Sequence, residues 1–257
     1  MPVYQAVGIT CPKDTLPVEP SGQCQLECKT QLFCRCVSII QAVLASLVGV
    51  TTVLSCKDVM YDRHWPVSLY PWFGVQYFYY DTWAMYKSYV HTHAEDFVGK
   101  STKQSVQYFI SRRPLMVFHH VGLPLLYFPV LVYFRKGIGD FFVGSFYTSE
   151  LAVPFICMRV VFIQLGMKDS KLYLINGWVM IIMFFTCRVL IFPFMYWKYA
   201  LQYDIPVLHV PFRIPMKCNL SCLGLMILML YWTGLMAVGA YKHLRKSKPR
   251  KIGAKEN

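Results

Sequence analysis

Apolar residues run in six long stretches along this chain, with the polar residues gathered between them. The stretches cover residues 33–56, 67–90, 115–134, 139–166, 172–197 and 218–241. A helix needs about 20 residues to cross the hydrocarbon core of a bilayer, and each stretch is long enough. They predict an all-α fold, a polytopic transmembrane helical bundle of about six helices in one domain. The second stretch is the weakest, because Asp81 lies inside it and tyrosines dominate it. The fourth holds Asp140, Glu150, Pro154 and Arg159, which predicts tilt or a kink at Pro154.

The polar segments divide the remainder. Residues 1–32 carry Pro12, Pro17, Pro20 and Gly22 and lack an apolar start. They read as a mobile segment without a cleavable signal peptide. Residues 33–241 form the membrane domain, and 242–257 a basic tail. Within the domain, the polar loop 91–113 predicts an interfacial helix over 102–112. Residues 203–217, with Pro206, Pro211 and Pro215, predict an extended, ordered loop.

Composition agrees with a membrane protein: 15% of the chain is charged, against about 25% in soluble domains. The net charge of +13 does not indicate nucleic acid, because the basic residues sit in short loops and a tail. With six helices, sixteen Lys and Arg residues outside the spans or, like Lys87, close to a span end fall on the side of the termini and seven on the other. Both termini are therefore expected to be cytosolic. Ten cysteines lie mostly in or near apolar segments. Cys24, Cys28, Cys34 and Cys36 have no His-rich partner run and read as plain thiols, not a zinc site.

Candidate chemistry centres on His119 and His120, at the start of the third stretch. Arg112 and Arg113 just upstream mark the water interface, so the pair lies about one turn inside the hydrocarbon. Imidazoles there cost free energy and point to a functional site. Neutral imidazole is a base near pH 7 and is also open to acylation. A carboxylate beside it would stabilise the imidazolium; Glu150 is the first candidate and Asp81 the second. Arg188 near Glu150 has a simpler reading, as a structural ion pair. Seven histidines in all are too few for the several boxes of a two-iron oxygenase.

Three motifs carry a resemblance to a known family. The first is Leu115 to His120, the second runs from Gly139 through Ser149 and Glu150 to Phe155, and the third is Arg188 with Phe192, Pro193 and Phe194. His64 and Trp65, Tyr80 to Met85, and Val210 to Pro215 add to them. Residues 33–241 resemble the TLC domain family, which includes ceramide synthases. The chain departs from those enzymes at Ser149 and Glu150, where they carry His-Asp, and at Val153, Pro154 and Phe155, where further acidic residues follow. Its polar residues 1–32 stand where a hydrophobic helix begins relatives of the subgroup, so the pattern is that of a TLC-type fold lacking a first helix.

The resemblance implies an endoplasmic reticulum or Golgi membrane protein that transfers an acyl group from acyl-CoA to a sphingoid base, giving ceramide. Acyl-CoA would be a co-substrate, with no resident cofactor or metal. His119 and His120 would be catalytic, supported by Glu150 or Asp81. Lys100, Lys103, Arg112 and Arg113 would meet the coenzyme A phosphates. Phe118, Phe142, Phe146, Phe184 and Phe185 would line a tunnel for the chain, with Arg188 nearby. Membrane lipids would be the partners, with homo- or hetero-oligomers of TLC proteins as an option. The second reading is a non-enzymatic regulator of lipid composition, or a cargo or chaperone protein, on the same bundle.

Overall fold

The computed structural model describes residues 22–247, with side chains described for 31–242 apart from position 123. The expected mobile segment and basic tail fall largely outside the described residues. Residues 22–32, placed with that segment by the sequence, instead continue the first helix. The bundle is built from α1 (Gly22–Ser55), α2 (Trp65–Thr92), α3 (Thr102–Arg112), α4 (Pro114–Phe134), α5 (Asp140–Gln164), α6 (Lys171–Gln202) and α7 (Met216–Ser247). Among the described residues there is no strand.

Five of these helices are long and apolar enough to cross a membrane: α4, α5, α6 and most of α1 and α7. The protein is an all-α integral membrane bundle. The exception is α2, the stretch with Asp81. It is a continuous 28-residue helix, but six tyrosines, Gln76, Asp81 and Lys87 lower its hydropathy. Asp81 is buried and meets His120, while Gln76 and Lys87 are exposed.

Packing starts from a seam of small residues between α1 and α5. Ala42, Ala45, Ser46, Thr52, Ser145 and Thr148 are buried along it. A β-carbon on Gly49 would lie 2.6 Å from both the Gly144 carbonyl oxygen and the Thr148 backbone nitrogen. In lipid, close backbone approach of this kind replaces the hydrophobic effect as the force between helices. By contrast α4 and α7 bury only 6% of their most apolar windows, so they form the outer wall against lipid.

Three helices change geometry where proline removes a hydrogen bond and crowds the carbonyl four residues back. Pro124 follows a π-helical turn at Phe118–Gly122. Pro154 follows a 3₁₀ turn at Ser149–Ala152, which bears out the expected irregularity in the fourth span. Pro193 follows a break at Val189 and Leu190, where both residues donate backward to Phe185 O. π-turns recur at functional sites.

The loops are ordered at the face opposite the start of α1. Asp140, 1% exposed, pairs with Arg135 and accepts the His64 backbone N–H at 2.6 Å. Arg135 also reaches Ser68 at 3.0 Å. Residues 203–217 are not extended: a 3₁₀ turn at Val207–His209 and a short helix at Val210–Arg213 fill them. Pro206 stands at the cap of the first and Pro211 in the first turn of the second, where a missing N–H costs nothing. α3 forms where the pattern predicts it, started by a reciprocal Ser101–Gln104 capping box.

The turn after α1 depends on two carboxylates. Asp58 accepts from the Gln202 side chain at 2.8 Å and from Met60 and Tyr61 N–H. Asp62 accepts from Asp58 and Lys57 N–H. These bonds, led by Gln202 for Asp58 and by Asp58 N–H for Asp62, hold both acids below the ordinary carboxylate range.

Two outcomes follow. Gly49→Ala will lower the thermal midpoint in detergent, by overpacking of about 1–3 kcal/mol. Gly224→Ala, with nothing within 4 Å, will not. Second, because the unfolded chain takes up protons first, the stability from Asp58 and Asp62 is complete above the ordinary value of 3.8 and is lost as pH falls through their lower folded values. Asp62→Asn will flatten that acid limb of a midpoint-against-pH curve.

Candidate functional site

The bundle encloses a cavity of about 700 Å³ between α1, α2, α4, α5, α6 and α7. That is the size of a small-molecule site. Its walls are mostly apolar, with polar groups at distinct depths. Gln31 bonds to Ser88 at 3.2 Å and to Gln164 at 3.0 Å, tying α1, α2 and α5 at one level. Counting 1.5 Å per residue from there, Arg35 and Arg159 lie about 6–8 Å deeper, Asp81 about 10 Å, and Glu150 about 21 Å.

Both histidines line the cavity. Adjacent residues of an α-helix point about 100° apart, and the π-turn at Phe118–Gly122 re-aims this pair. Their rings meet edge to face with centroids 5.1 Å apart. His119 is packed edge to face on Trp232 of α7 at 4.9 Å, and its buried Nδ1 has no hydrogen-bond partner among the described residues. His120 lies against Phe78 at 5.6 Å. Its Nδ1 is 3.1 Å from Asp81 Oδ2. The angle is off-line for a hydrogen bond, so Nδ1 is unbonded although it is close to the carboxylate. With Nδ1 turned to Asp81, Nε2 is the nitrogen left for chemistry.

Glu150, first choice from the sequence, is not the histidine's carboxylate partner. Its Oε1 is 3.3 Å from Arg188 Nη2, and Arg188 Nε donates to Ser149 O at 3.0 Å. That is the structural ion pair read from the sequence. Asp81 takes the place beside His120 because α2 packs against the π-turn of α4, whereas Glu150 is held by Arg188.

The other site candidates divide. Arg113 and Phe184 line the cavity with Arg188. Lys100 and Arg112 stack on Tyr108, and Lys103 is exposed; none of the three lines it. Phe142 and Phe146 pack onto the core of Val59, Phe141, Phe192 and Met195, and Phe118 and Phe185 are exposed at 50% and 39%. A helix that turns His119 and His120 inward has to turn Phe118 toward lipid. Trp232 and Phe78 are site residues that the sequence reading missed. Trp232 had one signal, as the lone tryptophan of its span; Phe78 had another, one turn before Asp81.

Comparison with known proteins places the fold. The TLC domain profile matches residues 34–238, and the chain belongs to the TLC domain family. TLC domain-containing protein 4-A of Xenopus laevis is 30% identical over 142 residues, 54% of each chain. TLC domain-containing protein 4 of Xenopus tropicalis is 30% identical over 142 residues, covering 54% of this chain and 53% of its own. TLC domain-containing protein 4-B of Danio rerio is 30% identical over 144 residues, with the same shares. The chain thus matches about half the length of these relatives. The motifs point the sequence reading to TLC domain-containing protein 3, whereas these relatives are TLC domain-containing protein 4 members, so the family is shown and that subgroup is not. No solved structure matches.

Arg188→Ala will strip Glu150 of its partner and cost about 3–5 kcal/mol. The Arg188→Ala, Glu150→Ala double variant will recover part of that loss in a thermal unfolding cycle, because no lone buried charge is left.

Proposed function

We propose that this protein is a membrane lipid N-acyltransferase of the ceramide synthase type, with His120 and Asp81 as its working pair. The observation that carries the reading is the contact of Asp81 with His120 Nδ1 beside His119, in a cavity whose walls are mostly apolar. In a low-dielectric site, a fixed carboxylate stabilises imidazolium strongly.

His120 Nε2 removes a proton as the amine of a sphingoid base attacks the thioester carbonyl of acyl-CoA. His119 donates a hydrogen bond to the carbonyl oxygen. The C–N bond forms, the C–S bond breaks, and the proton passes from imidazolium to the leaving thiolate. Trp232 and Phe78 hold the rings in place. Counted with α2 as a sixth crossing, the Lys and Arg bias supports cytosolic termini, and the mouth then opens toward cytosolic acyl-CoA. The family resemblance supports an endoplasmic reticulum or Golgi membrane. The second reading, a non-enzymatic lipid regulator, is favoured by the off-line angle between Asp81 and His120.

The test is long-chain base N-acylation in membranes from cells lacking their own ceramide synthases. Wild type will make ceramide, and His119→Ala and His120→Ala will lose about 10²-fold or more. Asp81→Asn will lower the rate, while Glu150→Gln will lower the amount of folded protein but not the rate per folded molecule. Absence of product across acyl-CoAs of several lengths would overturn the enzyme and leave the regulatory reading.

A further inference from the structure

We infer that Arg35 and Arg159 form an anion seat in the mouth half of the cavity, for the phosphate-type head of an amphiphile. The inference concerns the same cavity as the acyl transfer above but does not rest on that chemistry.

Charge gives the first argument. The cavity is lined by Arg35, Arg159 and Arg188, with Lys87 and Arg113 toward the mouth, against two carboxylates, Asp81 and Glu150. Both acids are engaged, Asp81 with His120 and Glu150 with Arg188. Among the described residues no carboxylate lies within 4 Å of Arg35 or Arg159. A guanidinium inside an apolar bundle without a counter-charge is costly, and such groups mark ligand paths. Arg35 Nε is buried with no hydrogen-bond partner among the described residues, and the Cys157 thiol beside the guanidinium is a weak acceptor.

Geometry gives the second. Arg35 stands one turn below Gln31 on α1, and Arg159 stands five residues before Gln164 on α5. Because Gln31 and Gln164 are hydrogen-bonded, the two arginines lie at matching depth on packed helices. Arg159 is also held in advance of any ligand. Its guanidinium carbon is 4.2 Å from the ring centroid of Tyr173, a residue only 2% exposed. Its Nη1 occupies room that a β-carbon on Gly177 would approach to 2.7 Å. Guanidinium forks match phosphate oxygens in pairs. Below the seat the walls include Met180, Ile181, Leu235 and Met236, suited to a hydrocarbon chain.

Two sources carry this chemistry, a phospholipid head and the phosphates of coenzyme A. The test measures equilibrium binding of radiolabelled palmitoyl lysophosphatidate to the full chain in dodecyl maltoside. Monopalmitoylglycerol is the phosphate-free control and coenzyme A the competitor. Wild type will bind the lysophosphatidate saturably and far more tightly than the glycerol ester. Arg35→Gln and Arg159→Gln will each weaken binding about tenfold or more. Gly177→Ala, which leaves every charge in place, will weaken it by displacing Arg159. Competition by coenzyme A assigns the seat to the thioester's nucleotide, and lack of competition assigns it to a lipid head. Glutamine variants that stay helical and bind like wild type would overturn the proposal, as would equal affinity for the glycerol ester. Because the readout is binding, failure here and failure of the acyl-transfer reading are separate results.

Discussion

Five prolines lie inside the helices, and the cavity is arranged around how the gaps left by three of them are absorbed. Pro124 cannot donate to His120 O, Pro154 cannot donate to Glu150 O, and Pro193 cannot donate to Val189 O. In lipid no water is at hand to fill such gaps, so the helix changes pitch or a side chain takes the free acceptor. Both happen here. The π-turn before Pro124 presents two adjacent histidines to one cavity. The 3₁₀ turn before Pro154 leaves Ser149 O to Arg188. The break before Pro193 ends the helix segment that carries Arg188.

The breaks are tolerated because the rest of the bundle is rigid. The α1–α5 seam is packed at backbone distance, with no room for one methyl group at Gly49. At the far face, Asp140, Arg135 and His64 N–H lock the ends of α2, α4 and α5 together. Polar groups in the cavity then have fixed positions from which to act, with Asp81 buried beside the His120 imidazole and Arg188 beside the Glu150 carboxylate. α4 and α7 lie outermost and supply the histidines and Trp232. The site is thus closed by the two helices least buried in the bundle, which is the arrangement expected where a lipid chain has to enter sideways.

Much of this fold was legible from the pattern of the chain. The long apolar runs gave the helices, the capping box gave α3, and Pro154 marked the irregular stretch of α5. The helical state of Gly22 to Leu32 was missed because the segment is polar, and helices extend beyond the membrane without any apolar signal. The proline-rich loop failed because proline fits the first turn of a helix as readily as an extended strand.

The sequence by itself determined that the chain spans a membrane as helices, and that two histidines lie where hydrocarbon makes them costly. It also held both candidate carboxylates. Only the tertiary structure decided between them. Which acid meets His120 depends on the depth and rotation of α2 and α5 against α4, set by contacts far apart in sequence, and no local periodicity encodes those. The same holds for the phenylalanines, which sequence placed in a tunnel and packing sent to the core or to lipid. It holds too for Arg35 and Arg159, separate in the chain and level in the bundle only because Gln31 and Gln164 join their helices.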